Sequence, residues 1–267
     1  MKKIGMRFGF VVAALAAGAA HADADYFSLG KDQALSVAIG TEYSSGKYAQ
    51  TSNTDVLFVP ISVSYREAKT TVSLVIPYLR IAGPSNLIGA AKNQVQVNGA
   101  ATPPRAVSAG LGDVVLGLTQ NMYANPNNGW AIDLTGNIKF GTADAVSGLG
   151  TGETDYALQT DVAKYFDTVD FFGTLGLRKM GNPPGITFKN PGYSSIGAGY
   201  SSSENLRFGM AYDFRQRVIA GTANFAEVLA FVNYQISKPA RLQIYALKGL
   251  TDNSPDKGLG TTVNFAY

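Results

Sequence analysis

Cysteine is absent from the 267 residues, and histidine occurs once, at His21. The first absence excludes disulfides, thiolate metal sites and thiol nucleophiles. The second leaves the chain beyond that point without an imidazole for acid–base or metal chemistry. Long apolar runs are missing beyond the N-terminus, where nothing approaches the ~18 uncharged residues that a membrane-spanning helix needs. Charge of one sign is missing too. The 22 Lys and Arg face 19 Asp and Glu, but Lys2, Lys3 and Arg7 sit at the very start, so 19 basic residues face 19 acidic ones in the remainder. A neutral remainder argues against nucleic acid, and against a polybasic membrane-surface segment.

What stands at the start is "MKK", Arg7, the 13-residue apolar run "FGFVVAALAAGAA" and then Ala20-His21-Ala22. A charged start, a short apolar centre and small residues before a cut describe a secretory signal peptide. The expectation is a leader over 1–22, cleaved after Ala22, and one folded unit over 23–267. His21 leaves with the leader. An exported, cysteine-free chain without membrane helices is either a soluble periplasmic domain or an outer-membrane β-barrel.

Alternation separates the two, because a barrel wall presents apolar side chains to lipid and small or polar ones to the lumen. In "ALSVAIGTEY", Leu35, Val37, Ile39, Thr41 and Tyr43 share one face, and Ala34, Ser36, Ala38, Gly40 and Glu42 the other. "VLFVPISVSYR" and the stretch after its short turn put Leu57, Val59, Ile61, Val63, Tyr65, Val72, Leu74, Ile76 and Tyr78 outward. "WAIDLTGNIKF" puts Trp130, Ile132, Leu134, Ile138 and Phe140 outward and leaves Asp133, Thr135, Asn137 and Lys139 inward, too polar a row for a dry core. The pattern recurs in "DVVLGLTQNMY", "DYALQTDVAKYF", "VDFFGTLGLRK", "LRFGMAYDF", "AEVLAFVNYQI", "RLQIYAL" and "LGTTVNFAY", and weakens only in "YSSIGAGYS", where small residues dominate. The sum is twelve strands, predicting an all-β, 12-stranded antiparallel transmembrane β-barrel of the outer membrane.

Connection lengths agree. Short links ("EAK", "ANPNNG", "DT", "SSSEN", "SKPA") alternate with mostly longer ones, including the 28 residues from Gly83 to Gly110. Bacterial barrels keep tight turns at the periplasmic end and long loops outside. Aromatic rings fall near the ends of outward rows, at Tyr43, Tyr65, Tyr78, Trp130, Phe140, Tyr212, Phe214, Tyr234 and Tyr267, where the headgroup level favours them. A soluble sandwich also alternates, but it would expose a face of charged and amide side chains and leave the loop rhythm unexplained. Within this frame the glycine-rich "SGLGTGETDY" is not a phosphate cradle, since a strand and not a helix N-terminus follows it. Gly148, Gly150 and Gly152 are expected to supply the positive φ values of a rim turn.

Three pieces carry a family resemblance: "FVPISVSYREAKTTVSLVIPYLRI" (Phe58 to Ile81), "GLGDVVLGL" (Gly110 to Leu118) and "IKFGTADAVSGLGTGETDYALQTDVAKYF" (Ile138 to Phe166). They resemble the Gram-negative outer-membrane family labelled for the MetA pathway of phenol degradation, whose members are often called transporters. The resemblance covers roughly the first two thirds of the mature chain. It implies a 12-stranded barrel and passage of aromatic or other hydrophobic compounds. The chain departs from the family at Phe140-Gly141-Thr142, where Pro-Thr-Gly is usual. The terminal "VNFAY" looks like a signal to the barrel-assembly machinery, ending in Tyr267 where Phe is commoner.

Two prolines bear on the wall, because proline has no ladder N–H. With Ala68-Lys69 as a two-residue turn, Pro60 falls opposite Pro77, and a bulge or widened pairing is expected there.

Enzymatic, cofactor and metal chemistry find little support. Outer-membrane enzymes that use histidine are excluded for the mature chain, no serine has a recognisable activating partner, and no catalytic or cofactor-binding residues are assigned. Asp252, Asn253 and Asp256 offer oxygens, but without the spacing of a calcium loop, and such residues serve turns. The functional lead is the inward row: Arg66, Asp133, Lys139, Asp161, Asp170, Arg178, Arg207, Asp213, Glu227 and Arg241. Charges in a narrow tube must be wet or paired, so the row is either a solute-lining wall or a salt-bridged filling.

The reading is a passive outer-membrane channel for small hydrophobic or aromatic solutes, with the Gly83–Gly110 loop as lid or entrance. No nucleotide site or energy-coupling plug is expected over Asp23 to Asp32. Its rival is a closed structural or surface-interaction barrel. Expected partners are outer-membrane lipid and lipopolysaccharide, the assembly machinery through the C-terminal strand, and the solute, with no nucleic acid.

Overall fold

The computed structural model describes residues 33–84, 87–88, 95–96 and 106–267. The expected leader, residues 23–32 and most of the link after Gly83 lie outside the described residues. The described residues hold fifteen strands, in order β1 (Gln33–Gly46), β2 (Thr54–Glu67), β3 (Thr70–Gly83), β4 (Leu87–Ile88), β5 (Val95–Gln96), β6 (Ala106–Leu111), β7 (Val115–Asn125) and β8 (Trp130–Lys139). They continue with β9 (Asp155–Tyr165), β10 (Val169–Lys179), β11 (Gly192–Ser203), β12 (Leu206–Arg215), β13 (Phe225–Gln235), β14 (Ala240–Gly249) and β15 (Lys257–Ala266).

Every neighbour in the main sheet is antiparallel, and β15 returns to β1 from Ser36↔Ala266 to Ser45↔Lys257. The seam extends one residue further, where Tyr267 N donates to Leu35 O at 2.8 Å. β6 and β7 lie end to end along β3, pairing with Tyr78–Gly83 and Thr70–Val75 respectively. Together they make one stave, so the sheet is a closed 12-stranded antiparallel barrel. Among the described residues, the two-residue β4 and β5 pair only with each other.

The alternation acts as the barrel requires, with burial inverted relative to a soluble protein. Outward residues such as Ile39, Leu158, Leu175, Ile196 and Leu259 are exposed, reaching 72% for Leu175. An apolar belt of this extent belongs against lipid, since water-facing apolar patches stay within a few hundred Å². All but one of the nine rings expected at the interfaces are exposed; Phe214 is half-buried. Short connections (68–69, 126–129, 166–168, 204–205, 236–239) gather at the end that holds Gln33 and Tyr267, and the longer ones at the other. By the usual orientation of such barrels, the long-loop end is the outer one.

Four local expectations meet detail here. Pro60 and Pro77 are cross-strand partners in an unbroken β2–β3 register, so the bulge expected between them is absent. The Pro77 carbonyl accepts from Gly112 N at 2.8 Å, on the side away from β2. The prolines thus form a non-hydrogen-bonded pair, whose missing donors would have served the strands on either side. Their effect is felt there: the β1–β2 register lapses at Gly40 and Thr41, and the stave beside β3 breaks over 112–114.

The Gly83–Gly110 connection is shorter than its glycines suggested, because Gly83 closes β3 and Gly110 lies within β6; the link is 84–105. Gly148 and Gly152 have positive φ (71° and 72°), but Gly150 does not. Gly150 is needed for space instead, as a Cβ there would lie 2.6 Å from Asp113 Oδ1. The small-residue stretch at 193–201 is a full strand whose glycines leave room for large neighbours, as shown below.

Candidate functional site: lumen and outer mouth

Strand parity carries all ten charged candidates onto the inward face. Asp133, Asp170, Arg178, Arg207, Asp213 and Glu227 are buried, while Arg66, Lys139, Asp161 and Arg241 are half-buried. Arg207 meets Asp170 with two parallel bonds, Nε to Oδ1 at 2.9 Å and Nη2 to Oδ2 at 2.6 Å. Residues outside the ten engage them as well: Asn121 donates to Asp133, Gln159 and Thr174 donate to Asp161, and Arg241 donates to Gln235. Asp213 and Glu227 are cross-strand partners, and Arg215, two residues along from Asp213, has its guanidinium over the Phe225 ring. Arg178 lies over the Tyr193 ring at 5.7 Å, and Arg66 is near the turn end of β2, opposite Thr71.

The lumen has two storeys. In the lower, the Arg207 guanidinium sits between the rings of Phe231 (5.0 Å) and Phe172 (5.8 Å), which are themselves 6.3 Å apart. Cation–ring attraction and a bidentate carboxylate act on the same planar group. Tyr165, Leu229, Tyr245 and Leu247 complete a buried cluster around the rings, and Tyr245 donates to Glu42 Oε2 at 2.8 Å. Gly197, Gly199 and Gly209 make this possible. A Cβ at any of them would collide with Phe172, Arg207 or Phe231.

In the upper storey, Lys139 Nζ donates to Asp113 Oδ2 (2.7 Å), Thr151 Oγ1 (3.2 Å) and the Glu153 carbonyl (3.1 Å), with Asp155 Oδ2 at 3.3 Å. Asp113 also accepts from Ala143 N, tying the 140–154 loop to the break between β6 and β7. Above this cluster, Tyr48, Leu87, Ala143 and Leu149 from the outer loops pack on Val56, Phe58, Leu79 and Ile81 of the wall. Met180, Phe188 and Val218 form a second loop cluster. Between them lies a cavity of about 40 Å³, lined by Phe58, Pro77, Leu79, Ile88, Leu149 and Met180 with Asp113, Lys139, Thr151 and Asp155. That space holds a few waters. On the loop itself, the Ser147 hydroxyl and amide hold the Asp144 carboxyl below its ordinary value.

Residues of weight that were not singled out from sequence include Asp113, Asp155, Phe172, Arg215 and Phe231. Asp155, Phe172, Arg215 and Phe231 each share inward parity with a residue of the same strand that was, so parity extended to strand ends and to aromatics would have found them; Asp113 lies in the break at 112–114, outside any strand. Among the described residues no three potential ligands cluster for a metal. Asn253 instead binds the Ala223 carbonyl, holding two outer loops together.

A closed barrel with an oily outside, a polar and aromatic inside and loops folded over one mouth has the architecture of porins. Solved porins share it. The NanC porin matches with a TM-score of 0.55 at 10% identity, over 86% of this chain and 98% of that one. The KdgM porin matches with a TM-score of 0.53 at 8% identity, over 87% and 99%. KdgM in complex with disordered oligogalacturonate gives 0.51 at 10% identity. At such identities the likeness is one of fold. No family model matches the chain, and no curated protein is similar to it.

Proposed function

We propose that the protein is a passive channel of the bacterial outer membrane for small hydrophobic or aromatic molecules. The observation that carries this is the inverted burial: a closed 12-stranded wall, apolar where it faces outward and charged within. The substrate class is supported by the apolar residues around the outer cavity and by the resemblance of Phe58–Ile81 and Ile138–Phe166 to a family associated with phenol degradation. The ten inward charges are the proposed lining. No enzymatic role is proposed.

Purified protein in liposomes is expected to conduct ions or admit aromatic solutes. Liposomes that stay tight in both assays count against transport. One observation favours the rival, a closed barrel that works through its outer loops: the lower storey is filled by Arg207, Phe172 and Phe231. Tight liposomes whose protein still binds a partner through its loops support that rival. The proposed partners are outer-membrane lipid, lipopolysaccharide and the barrel-assembly machinery, the last reading the strand that ends in Tyr267. Removing Tyr267, which is tied to Leu35 at the seam, is expected to slow membrane insertion in an assay with purified assembly machinery.

A further inference from the structure

We infer that the break between β6 and β7 is a side exit, joining the outer cavity to the surrounding lipid, and that Asp113 is its latch. The inference deepens the channel reading and rests on it. Three observations meet at this place. The first concerns the wall: β8 ends at Lys139, where β9 begins opposite at Asp155, while β3 and β6 continue upward. Among the described residues, β6 therefore pairs with β3 alone; the 140–154 loop bonds the chain at 113–114 just below it and sets Leu149 against the inner side of Gly110.

The second concerns what fills that gap. It is closed by side chains and single bonds rather than by a ladder. Val114 N donates to Thr142 Oγ1 (2.9 Å), Phe140 N to Val114 O (2.8 Å) and Ala143 N to Asp113 Oδ1 (3.1 Å), while Lys139 Nζ holds the other carboxylate oxygen. Such contacts can part and re-form without unzipping a strand.

The third is chemical continuity. Inside the gap lies the cavity, with Pro77, Leu79 and Leu149 on its wall. Outside, Ile76, Tyr78, Leu111, Leu116 and Phe140 are exposed toward lipid. An apolar molecule passing between them finds apolar groups on either side once the Asp113–Lys139 tie, the polar part of the same lining, has parted. Straight down, it meets the Arg207–Asp170 pair between its rings. Ions gain nothing from a side route that ends in hydrocarbon, so apolar solutes and ions should respond differently to the latch.

The test uses full-length protein in vesicles with lipopolysaccharide in the outer leaflet, and N-phenylnaphthylamine, which brightens on entering lipid. Asp113→Ala is expected to speed dye entry severalfold, out of proportion to any change in ion conductance in planar bilayers. A folded Asp113→Ala protein with an unchanged dye rate overturns the inference, and so does a parallel rise in conductance, which marks an axial path. A second variant does not depend on losing the latch. A Cβ at Gly110 would lie 2.9 Å from Leu149 Cδ1, so Gly110→Cys with Leu149→Cys, in a chain that has no other cysteine, can bridge β6 to the loop. Oxidation is expected to lower dye entry to the protein-free rate, and reduction to restore it; an unchanged rate on oxidation overturns the side exit. Wild-type protein that moves neither dye nor ions defeats the channel reading itself, whereas ion flux without accelerated dye entry defeats the side exit alone.

Discussion

In each storey of the interior a cation meets a carboxylate, and the two contacts differ in nearly everything but the signs of their charges. Arg207 and Asp170 lie on strands paired along both edges, next to a register shift between Ser201 and Ser203, in a slot cut by glycines between two rings. Lys139 and Asp113 lie where the wall is interrupted, beside a cavity and beneath a loop. A planar guanidinium suits the first place, since it can bond a carboxylate edge-on and present both faces to rings. A flexible ammonium with several acceptors suits the second, since it can exchange partners as a loop moves. The same pair of charges is thus a fixed wedge below and a releasable tie above.

The comparison can be broken in several ways. Asp170→Ala leaves a buried guanidinium without its carboxylate and is expected to cost about 3–5 kcal/mol, measured by urea unfolding in lipid vesicles; the double variant D170L/R207M should recover most of that loss. Leu175→Arg, on the outward face of the strand that also carries Asp170, should cost about 2–4 kcal/mol if it sits near the bilayer midplane, by the same measurement. Asp113→Ala removes bonds to a charged group and is expected to cost about 1.5–3 kcal/mol. A larger loss than for Asp170→Ala would reverse the ranking of the storeys. Gly209→Ala presses a methyl against Phe231 and should cost about 1–3 kcal/mol, read by unfolding and by altered ring fluorescence. The smallest effect belongs to the rim. The Asp144 carboxyl titrates below 3.8 because Ser147 bonds its charged form, so its contribution to loop order is present above that pH and lost as pH falls through the lowered value. Ser147→Ala should return the titration toward 3.8, followed by the chemical shift of the Asp144 carboxyl carbon.

The wall was readable because each side chain from Leu35 to Tyr267 chooses between two solvents at every step, a signal that needs no knowledge of partners. The Ala68-Lys69 turn followed from the same counting. What fills the tube was less readable. Phe172 and Phe231 break the rule of polar residues inside, and only the glycines on β11 and β12, across the sheet from them, explain how they fit. The weak pattern at 193–201 was the trace of that accommodation. Pro60 and Pro77 were correctly set opposite each other, but their consequence fell on other strands, because a missing donor is felt by whichever neighbour it pointed toward. Asp113 escaped notice because its partner Lys139 is 26 residues away, at the far side of a hairpin.

One last feature is the unequal length of the staves. β1, β2 and β3 have 14 residues each, while β8 has 10. At ~3.3 Å per residue the difference amounts to roughly 13 Å along the strands. The cylinder therefore ends in a slanted lip, with a high bank on one side and a low sill on the other. In the plane of the bilayer such a molecule has a front and a back.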